Sequence, residues 1–168
     1  MVELPTLDAT CALAVGIAQY VTSLPSQISA TLALQGTLGM GKTQWARYFC
    51  QALGVPAEVV TSPTYVLLQR YGTAIGKRIY HFDFYRLESA AHVWDLGIDE
   101  LFEQPSIILI EWADKFPECL PMEYLRIEFG QSAVNDTQRR RAQIALPASW
   151  PELDVRALAQ HNASHSSS

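Results

Sequence analysis

Gly36-Thr37-Leu38-Gly39-Met40-Gly41-Lys42-Thr43 decides the reading of this chain. It satisfies G-x-x-x-x-G-K-[ST] at every fixed position, the pattern of a phosphate-binding loop. Its flanks agree. Ile28–Leu34 is a short apolar run bounded by loop residues, which predicts a buried strand. Beyond the loop, Trp45, Ala46, Phe49, Cys50 and Leu53 recur on one face of a helix that Gly54 is placed to end. The residue types explain the chemistry. Gly36, Gly39 and Gly41 let the backbone curl so that successive N–H groups face a phosphate, and the helix N-terminus adds positive partial charge there. Lys42 brings an ammonium to the β- and γ-phosphate oxygens. The Thr43 hydroxyl suits the shell of Mg²⁺, which takes a few hard oxygens together with phosphate and water.

A phosphate loop needs an acid nearby, and two strands offer one. Ser106–Trp112 is an apolar run that ends in Glu111. Open α/β sheets bind ligands at the carboxyl ends of their strands, so Glu111 is the candidate metal-side carboxylate, or a group that polarises the attacking water. Trp112 beside it is expected to cover or pack against the site. The second acid is Asp83. Thr64–Tyr71 and Arg78–Tyr85 form two β-rich runs joined across Gly72–Lys77, a hairpin pattern. In the second run Ile79, His81, Asp83 and Tyr85 share one face, and Tyr80, Phe82 and Phe84 the other. Asp83 either pairs with Arg86 or Lys42 or serves Mg²⁺, directly or through water. His81 reads as a hydrogen-bonding neighbour of the site rather than a metal ligand. Ser62-Pro63-Thr64-Tyr65 is either a lead-in to the hairpin or a mobile loop that senses the γ-phosphate or supports the metal.

The rest of the chain reads as framework. Leu13, Ile17, Tyr20, Val21 and Leu24 predict a packing helix from about Asp8 to Ser23, capped by Thr6 or Asp8. The turn at 6–10 is a candidate for holding a base. Ser89 is placed to cap a short helix ended by Gly97, and Ile98–Phe102 predicts another turn or two, with Asp95, Asp99 and Glu100 solvated. Tyr124–Phe129 and Arg140–Leu146 alternate as half-exposed strands around a polar loop, Gly130–Thr137. Arg139, Arg140 and Arg141 form the one basic cluster. Pro151–Gln160 predicts a terminal helix, and His161–Ser168 a disordered tail. With 168 residues, about half of them apolar, this predicts one globular domain over 1–150 and a short appendage over 151–168. The net charge of −5 argues against a general nucleic-acid-binding surface. Cys11, Cys50 and Cys119 suggest reduced buried thiols, not a disulfide or zinc framework. No apolar run is long enough to span a membrane, and Met1–Pro5 has no signal-peptide character, so a cytoplasmic location is expected.

Taken together, L-G-x-G-K-T at Leu38–Thr43, S-P-T-Y at Ser62–Tyr65, H-x-D-x-Y-R at His81–Arg86, Leu-Gly-Ile at Leu96–Ile98 and E-W at Glu111–Trp112 resemble the TsaE (YjeE) family over roughly residues 4–146. These are bacterial P-loop ATPases required for threonylcarbamoyladenosine modification of tRNA. The resemblance implies an α/β fold, a P-loop NTPase-like three-layer sandwich with a mixed central sheet. It implies weak Mg²⁺-dependent ATPase activity alone, with ADP left after turnover, and work with the TsaB and TsaD proteins, so that tRNA is met only through the complex. Carried onto this chain, Gly36, Gly39, Met40, Gly41, Lys42 and Thr43 would hold nucleotide, and Thr43 and Glu111 would hold Mg²⁺. Lys42, Asp83 and Glu111 would carry catalysis, Ser62–Tyr65 would act as a switch, and the N-terminal turn with a C-terminal arginine, Arg139 or Arg141, would close around the nucleotide. Thr37 stands where the family usually has an acid. Two other classes stay open at this level: a small phosphotransferase built on the same loop, and a binding module switched by nucleotide.

Overall fold

A computed structural model describes residues 1–133, 136–154 and Leu158. Seven strands form one sheet: β1 (Val2–Leu4), β2 (Ala30–Gln35), β3 (Leu68–Gly72), β4 (Arg78–Asp83), β5 (Ile107–Glu111), β6 (Leu125–Ala133) and β7 (Asp136–Ala145). Their spatial order is β1-β7-β6-β2-β5-β4-β3. β2 runs parallel to β5 and β6, and β4 parallel to β5. β1 pairs antiparallel with β7, β6 with β7, and β3 with β4. The sheet is therefore mixed.

Strand alternation sorts the apolar side chains into two layers. On one face, Leu32 and Leu34 of β2, Ile107 and Leu109 of β5 and Ile79 of β4 pack with α1 (Leu7–Ser23) and α2 (Lys42–Ala52). On the other, Ala33, Ile108, Ile110, Tyr80 and Phe82 pack with the short helices α3 (Ala90–Trp94) and α4 (Ile98–Phe102). β5 is buried at all five positions because it has a helical layer on both faces. Each of its fully buried aliphatic side chains contributes about 1.5–3 kcal/mol over exposure. Within β4 the expected face split is the one observed, with Ile79, His81 and Asp83 on one face and Tyr80 and Phe82 on the other, but the strand ends at Asp83 and Tyr85 lies exposed in the turn beyond it.

The helix ends follow local chemistry. Thr6 caps α1, its hydroxyl accepting from the Ala9 N–H at 3.1 Å, and Asp8 lies in the first turn. Ser89 caps α3 in the same way. α2 begins on Gly41 at φ 100°, with no side-chain cap, which leaves its first N–H groups facing outward.

Three expectations need correction. Thr64–Leu67 is not strand. Pro63–Tyr65 forms a 3₁₀ turn, which Pro63 starts readily with its fixed φ, and Leu67 at φ 66° ends any extended run before β3. The polar stretch at 130–137 is not a loop throughout, because β6 reaches Ala133 and β7 starts at Asp136, with a register irregularity between Gln131 and Ala133. Gln131 of β6 and Arg139 and Arg141 of β7 are exposed, and polar residues suit exposed strand positions as well as turns. Residues 151–154 have no regular structure, so no helix starts at Pro151, and of the remaining stretch only helical Leu158 is described. Trp150 nonetheless packs on Tyr20, whose hydroxyl donates to the Pro151 carbonyl at 2.6 Å. The expected tail at 161–168 lies outside the described residues. Cys50 and Cys119 are buried free thiols, whereas Cys11 is only half-buried.

Candidate functional site

The parallel register sets three strand ends side by side. Leu34 of β2 pairs with Glu111 of β5, and Glu111 with Asp83 of β4. The 36–43 loop leaves β2 at this edge. Alternation turns Glu111, Asp83 and His81 towards α2, where Thr43 lies in the first turn. The site is thus assembled by strand register, and the loop merely joins it.

Gly36, Gly39 and Gly41 all take positive φ. At Gly36 the requirement is doubled, since a Cβ would overlap the Phe129 carbonyl of β6. Lys42 is 4% exposed and folds back over its own loop. Its Nζ donates to the carbonyls of Gly36 at 2.5 Å and Thr37 at 3.0 Å, and lies 3.7 Å from the centroid of the Trp112 ring. Burial pulls its pKa down, opposed by the charges of Glu111, Asp114 and Asp83. Trp112 reaches it through a left-handed backbone turn at φ 58° and also packs on Tyr85. A cavity of about 190 Å³, lined by the 38–44 loop with Glu111 and Trp112, opens in front. Met40 lines it while packing on the core.

The carboxylates differ in their partners. Glu111 accepts from the Thr43 hydroxyl through Oε2 at 2.5 Å and meets His81 Nε2 through Oε1 at 2.9 Å. Asp83 accepts from the Thr64 hydroxyl and, at 2.8 Å, from the Tyr85 N–H. Burial raises the Asp83 pKa, against those two hydrogen bonds, which lower it. The expected pairing of Asp83 with Arg86 or Lys42 is not what forms. Thr64 takes that place, and Arg86 lies over the Tyr65 ring, 4.8 Å from its centroid. Among the described residues no three His, Cys, Asp or Glu side chains make a ready metal cage. Thr43 and Glu111 do present hard oxygens together, the donor set that Mg²⁺ uses when phosphates and water complete its shell.

Arg140, between the two arginines singled out from sequence, approaches the loop. Its Nη1 lies 3.2 Å from where a Cβ on Gly41 would stand. It also lines a second cavity of about 190 Å³ with the 4–7 turn and Thr10. Arg140 shares a face of β7 with buried Ala142, opposite Leu4 of β1. Arg139 and Arg141 fall on the other face and are exposed. Only a strand register, which three consecutive arginines cannot reveal, makes this choice. The two cavities adjoin at Gly41 and Arg140, and the expected N-terminal turn forms the wall of the second.

Sequence reasoning marked Lys42, Thr43, Asp83 and Glu111, and the structure brings these four together. Nothing in the sequence pairs Thr64 with Asp83, whereas Trp112, expected to cover or pack against the site, does lie over Lys42. The signal for Thr64 was present in the hydroxyl-rich 61–64 segment, but its partner lay nineteen residues away.

Residues 4–142 match the family described as threonylcarbamoyl adenosine biosynthesis protein TsaE. A tRNA threonylcarbamoyladenosine biosynthesis protein TsaE of Bacillus subtilis is 40% identical over 96 residues, 57% of this chain and 58% of that one. The same-named protein of Haemophilus influenzae is 40% identical over 104 residues, 62% of this chain and 65% of that one. The matched stretch thus spans a little under two thirds of either relative. A Rickettsia bellii protein of that name is 38% identical, and the match covers 63% of this chain and 71% of that one. Among solved structures, Bacillus subtilis YdiB superposes with a TM-score of 0.65 at 25% identity, covering 86% of this chain and 83% of that one. A match running from Leu4 to Ala142 contains every residue assembled above, and the chain belongs to the TsaE family.

Proposed function

We propose that this protein binds and hydrolyses MgATP as a subunit of the tRNA threonylcarbamoyladenosine modification machinery, working with TsaB and TsaD to allow repeated turnover. The observation that carries this reading is the contact of the Thr43 hydroxyl with Glu111, beside a loop of left-handed glycines and a buried Lys42. The relatives' names supply the pathway; the activity is argued from the site.

In this reading the amides of 39–43 and the ammonium of Lys42 neutralise the phosphates. Lys42 gives up the Gly36 and Thr37 carbonyls and swings to the β- and γ-oxygens, which offsets its burial with a stronger counter-charge. Thr43 and Glu111 would hold Mg²⁺, which would supply positive charge to stabilise the phosphates. Asp83, at the neighbouring strand end, orients water for in-line attack once Thr64 releases it. Hydrolysis at such a site is positioning and electrostatics, so slow turnover alone and acceleration by a partner that completes the site are expected. The 4–10 turn and Arg140 take the nucleoside, in the role assigned to Arg139 or Arg141 from sequence. ATP is the proposed nucleotide, tRNA is reached through the complex, and a cytoplasmic location fits chemistry on tRNA. No helix of the described residues is long and apolar enough to cross a membrane.

A second reading draws on the exposed Tyr65 and Val66, which adjoin the Thr64–Asp83 contact. Nucleotide would then switch a protein-binding surface, with hydrolysis incidental. The deciding experiment is phosphate release from MgATP by the purified protein, alone and with TsaB and TsaD, with Lys42→Ala as control. Slow release that the pair accelerates, and that the variant loses, supports the ATPase. ATP binding with no release under either condition supports the switch.

A further inference from the structure

We propose that His81 is a positioning residue that fixes the Glu111 carboxylate in the orientation a divalent cation needs. This rests on the reading of the site as one for a Mg²⁺-nucleotide. His81 and Glu111 are 0% and 1% exposed, on adjacent parallel strands, and turned to the same face of the sheet. A glutamate has three side-chain torsions and, at a strand end, several orientations. Here both of its oxygens are taken, Oε2 by Thr43 and Oε1 by His81. Each oxygen keeps a further lone pair. His81 thus holds one end of the carboxylate and leaves the other beside Thr43, where a metal would stand.

The far side of the imidazole carries the second argument. Nδ1 is buried with no hydrogen-bond partner among the described residues, and the imidazole lies beside the Tyr71 ring, with 6.3 Å between centroids. With the proton on Nε2, that orphan is an acceptor, which is tolerated better in an interior than an orphan N–H. The fold gains nothing from it. An aliphatic side chain at 81 would leave no orphan nitrogen, but it would strip the buried Glu111 Oε1 of the partner it has here. The histidine is explained by what its other nitrogen does to Glu111. This clamp also prevents Glu111 from swinging out as a mobile base, and leaves water orientation to Asp83.

The test uses His81→Gln, whose amide nitrogen reaches the position of Nε2, and His81→Asn, whose amide reaches only the Nδ1 side. Mn²⁺ affinity is read by electron paramagnetic resonance on the ADP-loaded protein, and ADP affinity is read separately in chelator. The expected result is Mn²⁺ binding weakened about tenfold or more in His81→Asn and restored to within about threefold in His81→Gln, the range for groups that orient metal ligands. Metal-free ADP affinity stays as in the parent protein for both. Equal loss of Mn²⁺ in the two variants, no loss in either, or a parallel fall in metal-free ADP binding overturns the assignment. A measurement on the unmutated protein needs no variant to fold: adding Mg²⁺ to the ADP complex shifts the ¹⁵N signal of His81 Nε2 but not that of exposed His92, and an unmoved His81 signal overturns it. If the unmutated protein loads no Mn²⁺ with ADP, the Mg²⁺-nucleotide reading itself fails, an outcome distinct from loss in the variants alone.

Discussion

Replacing Thr43 by Val removes one hydroxyl and keeps the shape of the side chain, so it isolates the contact on which the site is built. The Thr43 hydroxyl donates at 2.5 Å to a carboxylate that is 1% exposed. A hydrogen bond to a charged group contributes about 1.5–3 kcal/mol, and a buried acceptor left short of a donor loses an amount of that order. Thr and Val have similar helix propensities, which leaves only a few tenths of a kcal/mol for the backbone. For 168 residues, an unfolding entropy of about 2.1 cal/mol/K per residue converts the loss into a fall in Tm of ~4–9 °C. The assay is differential scanning calorimetry of the nucleotide-free protein in chelator, where the metal plays no part. In a Glu111→Gln background the acceptor is neutral, and the same substitution is expected to lose only about 0.5–1.5 kcal/mol. Adding ADP with Mg²⁺ raises the Tm of the parent protein beyond ADP in chelator, and this metal-dependent increment disappears in Thr43→Val. A variant that melts with the parent protein, or that keeps the metal increment, refutes the argument.

Other consequences follow from the same geometry. Gly36→Ala places a Cβ on the Phe129 carbonyl at φ 120° and is expected to lower stability by more than about 2 kcal/mol in urea unfolding. Arg140→Ala weakens nucleotide binding by about tenfold while Arg139→Ala stays near the parent protein; calorimetric titration that ranks them the other way removes Arg140 from the site. Burial holds the Asp83 pKa above its ordinary 3.8, so the folded protein keeps this proton to higher pH than the unfolded chain does. Its stabilising contribution is complete below 3.8 and is lost as pH rises through the folded value. Asp83→Asn should therefore flatten that descent and match or exceed the parent protein in stability near neutral pH, while abolishing hydrolysis. Chemical denaturation over a pH series checks the sign.

Much of this was legible in the chain because it was encoded locally. The phosphate loop declares itself by fixed spacing, α2 by its apolar stripe, and β5 by five buried positions that end in an acid. The 79–85 run even states its faces, because period-two alternation sets His81 and Asp83 against Tyr80 and Phe82. What sequence could not supply was register and distance. Arg139, Arg140 and Arg141 are chemically equivalent until β7 pairs with β1 and β6. The β-branched, aromatic and aliphatic neighbours of Thr64 suit a strand, yet Pro63 and the left-handed turn at Leu67 prevail. The composition of 130–137 suggests a loop because exposed strand positions such as Gln131 are polar, as loop positions are.

The central claim is that the loop, Lys42 and the Thr43–Glu111 pair form a Mg²⁺-dependent nucleotide site. Its most direct test is calorimetric titration of ADP into the purified protein, with Mg²⁺ and with chelator, beside Lys42→Ala. Saturable one-to-one binding is expected, weakening about tenfold or more without the metal and again without the ammonium. Binding that is indifferent to both Mg²⁺ and Lys42, or absent from the unmutated protein, would contradict it.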